Sequence, residues 1–305
     1  MATSTVPVRP QPSPLSTASL ALTLLTVALW GGNPVATLYS TDALPPVTVS
    51  GLRFLMATGV MLVWCLAERT SFRVTPGQFR PIVIAGALLF LQITTFTMGT
   101  AWTSSSHASL FVNTFVFWVV GIEHFITRTD RLTSLRAAGL VLAGVGVGAL
   151  LWEGKAPAAQ YDQPSIVGDA LLLFSAFVLG VKFIYTKHAL KVIGPTELIF
   201  WHDVVAVLLF GAAAAALERP DFGQVSPQAW LGLLYQGVLV GGVCFALQAH
   251  LLKIHSASQI AVFSFLTPLF GIVLGMLLRG DRLSVWLVLS GLTVAAGIYL
   301  VNRRE

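Results

Sequence analysis

Six ionisable side chains stand among apolar neighbours: Arg53, Lys182, His202, Asp203, His107 and His250. A cation held in an apolar segment can bind an anionic group or close against a carboxylate, and an imidazole titrates near working pH and can relay a proton. His107 and His250 are the candidates for proton coupling, set against the plainer reading of a hydrogen-bonded packing histidine. For Arg53 and Lys182 the plainer reading is snorkelling to headgroups, and for Asp203 it is pairing with a nearby cation. Glu123 and His124 stand about one turn from a segment end and read as interfacial. There is no G-x-S-x-G elbow, no H-E-x-x-H pair and no pair of intramembrane aspartates, so the chain is not expected to be an enzyme. Cys65 and Cys244, the only cysteines, both sit in apolar segments and support neither a disulfide framework nor a metal site. No cofactor is implied.

The elements that carry these groups follow from composition. With 55% hydrophobic and 10% charged residues over 305 positions, the chain lies far outside the usual range of soluble domains and reads as an all-α polytopic membrane protein. Ten apolar stretches are long enough to cross a bilayer: 16–39, 47–67, 80–100, 105–127, 134–152, 166–187, 195–217, 227–252, 256–278 and 284–302. Residues 1–15, with four prolines, read as a disordered tail, and 153–165 as a linker between 16–152 and 166–305. The net charge of +5 does not signal nucleic acid, because the basic residues form no run. Of the 18 Lys and Arg, 12 fall in connections on one side of the ten-span scheme and 4 on the other, with Arg53 and Lys182 inside spans. That bias predicts cytoplasmic termini and a periplasmic linker in a bacterial inner membrane.

The first span is interrupted by Trp30, Gly31, Gly32, Asn33 and Pro34. Paired glycines weaken a helix and Pro34 removes a backbone donor, so a break is expected where a polar path or neighbouring protein can satisfy the freed groups. The chain also repeats. Arg128, Asp130, Arg131 and Leu132 match Arg279, Asp281, Arg282 and Leu283 at an offset of 151, which also puts Gly86 on Gly237 and Asn113 on Ser264. An offset of 149 puts Pro46 on Pro195, Gly31 on Gly180, Asn33 on Lys182 and Arg53 on His202. Five spans per repeat make the second copy cross in the opposite sense, and such inverted repeats are the architecture of alternating-access transporters. By depth, Asn33 and Arg53 lie toward the outer ends of their spans and Lys182, His202 and Asp203 toward the inner ends. They are therefore expected to form two gates, with Gly31, Gly32, Pro34, Gly180 and Pro268 as hinges. Gly139, Gly144, Gly148, Gly291 and Gly297 read as close helix packing, within the bundle or against a second copy.

Several of these residues resemble the ten-helix, EamA-type branch of the drug/metabolite transporter superfamily. They are the Trp30 to Pro34 stretch, Pro46 followed by Arg53 and Phe54, Ala101 to Leu110, and the Asp-Arg-Leu turns before the fifth and tenth spans. The resemblance implies two inverted five-helix repeats around a central cavity lined by the first, third, fourth, sixth, eighth and ninth helices, and export of amino acids or metabolites. Asp130 and Asp281 depart from the usual Glu. Phe117 replaces a proline that the second half keeps at Pro268, which leaves open whether the fourth and ninth helices bend alike.

Polar and aromatic residues halfway along those helices give the expected cavity wall: Trp30, Gln92, Asn113, Phe117, Ser175, Leu179, Phe245, Gln248 and Ser264. A mostly apolar wall with a few amide and hydroxyl groups suits a small zwitterion or weak cation with an apolar or aromatic side chain. The expected partners are a small-molecule substrate and the lipid bilayer, in a monomer or homodimer, with no nucleic acid. Drugs, nucleotide sugars and lipids are the alternative cargoes.

Overall fold

The structure is a computed structural model of the chain and describes residues 15–102, 108, 111–129, 132–153, 166–271 and 285–302. The described residues form an all-α bundle of ten helices. They are α1 (Thr17–Thr41), α2 (Pro46–Ala67), α3 (Pro76–Ala101), α4 (Phe111–Thr127), α5 (Ser134–Glu153), α6 (Ile166–Ala189), α7 (Pro195–Leu217), α8 (Pro227–Ile254), α9 (Ala257–Gly271) and α10 (Val285–Asn302). Apart from Leu15 and Glu153, the expected tail and linker lie outside the described residues, as do His107, Asp130, Arg131, Asp281 and Arg282.

Helix starts are written in the sequence. Pro46, Pro76, Pro195 and Pro227 each open a helix, where a missing N–H costs nothing. Thr75 and Ser226, 151 residues apart, are the N-caps of α3 and α8. The break in α1 is present: one helical segment ends at Gly31, Gly32 turns, and a second starts at Asn33. From α8, the Tyr235 hydroxyl donates to the Leu29 carbonyl just before the break. Gln236 fixes the segment beyond it, its amide donating to the Ala36 carbonyl at 3.1 Å and its oxygen accepting from Thr37 Oγ1 at 2.9 Å. The repeat mate is different. Gly180 lies inside α6, which runs unbroken from Ile166 to Ala189, so no second break answers the first. A Cβ on Gly180 would stand 2.7 Å from the Trp118 Cβ, which makes it a close-packing position between α6 and α4.

The inverted repeat appears in the pairing of helices. α2 packs on α7 and α5 on α10 across the pseudo-axis, while α3 packs on α6 and α7 as α8 packs on α1 and α2. Glycines make this equivalence atomic. A Cβ on Gly86 of α3 would lie 3.0 Å from the His202 carbonyl oxygen, and one on Gly237 of α8 would lie 2.8 Å from that of Arg53. Both pairs are repeat mates, so the same close backbone approach holds Arg53 and His202 in register. In α5 and α10, Gly297 approaches Gly139 within the bundle, where a Cβ would stand 2.6 Å from the Gly139 carbonyl oxygen. α4 and α9 do bend differently. α4 ends in a π-helical stretch over Ile122–Thr127, whereas α9 has a 3-10 stretch over Val262–Leu266 just ahead of Pro268. A longer π-helical stretch, Tyr235–Cys244, occupies the middle of α8, where Gly237, Gly241 and Gly242 press on α2.

Candidate functional site

Between the repeats lies a cavity of about 620 Å³, open solvent at its mouth included, lined by segments of α1, α2, α3, α4, α6, α8 and α9. We call the end of the bundle that carries Arg69, Arg73, Arg80, Lys187, Lys191 and Lys253 the basic end. The cavity occupies the middle of the helices and the half away from it: Asn33 and Pro34 follow the break in α1, Phe96 is near the far end of α3, and Val112 and Asn113 begin α4.

Most of its wall is apolar and aromatic, including Trp30, Ile93, Phe96, Phe115, Leu179, Val240 and Phe245. The rings interlock. Phe245 meets Trp30 edge-on with centroids 6.3 Å apart and Phe54 at 5.9 Å, and Phe54 stacks on Phe210 at 5.9 Å. Among the lining residues, Asn33 Oδ1, Arg53 Nε and Nη1, Gln248 Nε2 and Thr267 Oγ1 are buried atoms without a hydrogen-bond partner. Gln92 is anchored from behind: its amide donates to Ser175 Oγ at 3.1 Å, and that hydroxyl donates back to the Gln92 carbonyl at 2.9 Å.

The four ionisable groups of α2, α6 and α7 do not stand at opposite ends. They converge beside the cavity, Lys182 and His202 on the Phe245 ring. Lys182 Nζ lies 4.1 Å from the Phe245 ring centroid, the His202 ring lies 6.3 Å from it, and Asp203 is within electrostatic reach of both Lys182 and Arg53. His202 Nδ1 lies 3.2 Å from Asp203 Oδ1 and 2.6 Å from the Ile199 carbonyl. Neither oxygen of Asp203 accepts a hydrogen bond, although the residue is fully buried. Helical rise explains the convergence. Arg53 and Asp203 enter from opposite ends of two paired helices, each about 10–12 Å in, and an extended arginine spans the rest of a core roughly 30 Å thick.

Of the nine expected wall residues, Trp30, Gln92, Asn113, Leu179, Phe245 and Gln248 line this cavity, and Ser264 lines a smaller adjoining one shared with Trp30 and Gln248. Ser175 stands one layer back on Gln92. Phe117 does not belong to the wall: it is 46% exposed, packed against Phe265 at 5.6 Å and beside Gly144, because α4 turns that face toward α5. Gly31 faces α9, where a Cβ would stand 2.8 Å from the Gly271 nitrogen, and Pro268 is buried in α9. His250 lies apart from the cavity lining, its ring 6.4 Å from that of Trp64 and its Nδ1 2.8 Å from the Ala246 carbonyl. Ile93, Phe96 and Thr267 are lining residues that sequence reasoning missed. Phe96 shares the helical face of Gln92 at i+4, which is the signal that could have found it.

Three carboxylates outside the cavity join the repeats at helix starts. Glu218, just after α7, accepts from the Val47 and Thr48 N–H groups at 2.9 and 2.7 Å and from Thr48 Oγ1 at 2.7 Å. Its counterpart Glu68, just after α2, accepts from Thr196 Oγ1 at 2.7 Å. These hydrogen bonds hold the Glu68 carboxyl below its ordinary range, the Thr196 bond first and the Trp64 bond second. Glu123, expected at the solvated interface, is instead 1% exposed and accepts from the Ala257 and Ser258 N–H groups at 3.2 and 2.9 Å, capping α9. At the same end Lys187 donates to the Leu252 carbonyl at 3.3 Å and to the His255 carbonyl, and His255 Nε2 lies 2.9 Å from Ser19 Oγ. Among the described residues no group of three His, Cys, Asp or Glu is placed to hold a metal.

The EamA-like transporter family matches residues 17–152 and again residues 166–303, one match for each repeat. The chain is 22% identical over 273 residues to the "Uncharacterized transporter YoaV" of Bacillus subtilis, covering 89% of this chain and 92% of that protein. It is 24% identical over 289 residues to the "Probable amino-acid metabolite efflux pump" of Escherichia coli, covering 92% and 93%. A solved crystal structure superposes with a TM-score of 0.78 at 19% identity, covering 93% of this chain and 97% of that one.

Proposed function

This chain belongs to the EamA-like transporter family, and from that membership we propose that it is a secondary transporter exporting amino acids, apolar or aromatic in side chain, or similar small metabolites. Its setting in this reading is a bacterial inner membrane with both termini cytoplasmic, supported by the concentration of Lys and Arg at the basic end. The observation that carries the reading is the cavity between the repeats: an aromatic and aliphatic wall interrupted by a few unpartnered polar atoms. Such a wall accommodates an apolar side chain and fixes a small polar head. The naming of a similar protein as an amino-acid metabolite efflux pump agrees with it.

Transport in this reading proceeds by alternating access, with the two inverted repeats exchanging roles around the fixed cavity. The bonds of Glu123, Lys187 and His255 tie helices together at the basic end, while the cavity lies in the middle of the bundle and the half away from that end. The state described is therefore closed at the basic end, and export requires those ties to part. Counterflow of radiolabelled amino acids in proteoliposomes, with and without a pH gradient, tests the reading. Saturable flux with counterflow is the expected result. Absence of flux across a broad amino-acid panel would overturn the cargo, and non-saturating flux without counterflow would identify a channel.

A further inference from the structure

The cavity's unpartnered polar atoms divide by chemistry. Arg53 offers two N–H donors, Nε and Nη1, from a side chain 2% exposed, and Gln248 offers its amide nitrogen from one 7% exposed. Asn33 offers the opposite, an unpartnered acceptor oxygen, from a side chain 9% exposed. All three line the same cavity, among Trp30, Phe96, Phe115 and Phe245. Leaving buried polar groups without partners is unfavourable, and more so for a guanidinium that stays charged. A fold that keeps both kinds of atom unmet at a cavity wall retains hydrogen-bonding capacity for an occupant with an anionic and a cationic pole.

The neighbouring charges favour the same occupant. Counted formally, Arg53 and Lys182 supply two cations and Asp203 one carboxylate, so the cluster is one anion short of balance. Asp203 forms no hydrogen bond with Arg53, so the guanidinium keeps unmet N–H donors for a carboxylate from elsewhere.

We infer that Arg53, assisted by the Gln248 amide, holds the carboxylate of the transported molecule while Asn33 Oδ1 receives its ammonium group. The required chemistry is a free α-carboxylate on a small molecule with an apolar side chain. The inference rests on the cavity being the transport site and adds which pole of the cargo is recognised and by which residues.

Thermal unfolding of the full-length chain in detergent, titrated with matched ligands, tests this without relying on transport. Two series are used: leucine, leucinamide, isoamylamine and 4-methylpentanoate, and the corresponding set built on phenylalanine, with inorganic phosphate as an anion control. The expected result is binding of at least one of the two amino acids, at least tenfold tighter than its amide and amine, with the carboxylate lacking the amine intermediate and phosphate without effect. The variant Arg53→Lys, which keeps the charge and loses the fork, should weaken carboxylate ligands at least tenfold and remove the preference over the amide. If that variant does not fold, the ligand series on the native chain still decides. Amides or amines binding as well as acids, phosphate displacing leucine, or no carboxylate binding at millimolar concentration would each overturn the inference. Carboxylate-dependent binding without counterflow would keep the assignment of Arg53, Gln248 and Asn33 to a bound amino acid and overturn the transport reading instead.

Discussion

Arg53 and His202 occupy equivalent places in the two repeats, each with a glycine of the neighbouring helix pressed against its carbonyl, yet only Arg53 lines the cavity. His202 is buried behind Phe245, its Nδ1 engaged with Ile199 and Asp203. The backbone scaffold is thus symmetric and the chemistry mounted on it is not. A symmetric scaffold gives the two repeats interchangeable packing, while an asymmetric wall lets one set of side chains face the occupant.

The largest expected effect tests that asymmetry directly. Arg53→Gln should lower amino-acid counterflow at least tenfold, roughly 1.4 kcal/mol of lost binding, while His202→Gln should cost less than about threefold. Equal losses in initial-rate measurements would break the distinction. The scaffold is tested next: Gly86→Ala and Gly237→Ala should each destabilise by about 1–3 kcal/mol through overpacking and lower the unfolding temperature by similar amounts. One neutral and one severe result would show that the two approaches are not equivalent.

Smaller effects sharpen the contrast between the two ends. Glu218→Ala removes a cap made of three hydrogen bonds and should destabilise by about 1–2 kcal/mol, and Glu68→Ala should lose less, because Glu68 is exposed and accepts one bond from α7. The folded Glu68 carboxyl is depressed below its ordinary 4.5, so its contribution is complete above that value and is lost as pH falls through the lower folded value. The gap in unfolding temperature between wild type and Glu68→Gln should accordingly close on acidification below about pH 4. His255 runs in the same direction for a different reason. Burial first, and Lys187 second, hold its folded pKa below the ordinary 6.5, so stability falls as pH drops below 6.5 and the unfolded chain takes up the proton first. His255→Asn should flatten that slope. Last, Phe117→Leu should leave counterflow within about twofold of wild type, since a partly exposed ring outside the wall falls among the mild surface substitutions.

Much of the fold was legible because its determinants are local or periodic. Helix-opening prolines, the Gly31–Gly32 break and the offsets of 149 and 151 are features of short stretches or of spacing, and each has its counterpart in the helices described. The wall was half legible: amides and aromatics in mid-helix were found, but Ile93 and Thr267 required knowing which face of each helix turns inward, and Phe117 was placed on the wrong one. Depth along a span was also read as distance between side chains, so Arg53 and Asp203 were assigned to separate gates.

What the sequence determined by itself is the all-α membrane class, the ten helices and the inverted repeat, since apolar length, charge placement and internal similarity need no knowledge of contacts. Tertiary structure alone decided that α6 runs unbroken where α1 breaks, that Glu123 is buried as a cap for α9, and that Lys182 and His202 meet at one phenylalanine with Asp203 in electrostatic reach of Lys182 and Arg53. Those outcomes depend on the rotation of each helix about its axis and on which backbone groups of a distant helix are left without partners, and both are set by packing between residues more than a hundred positions apart.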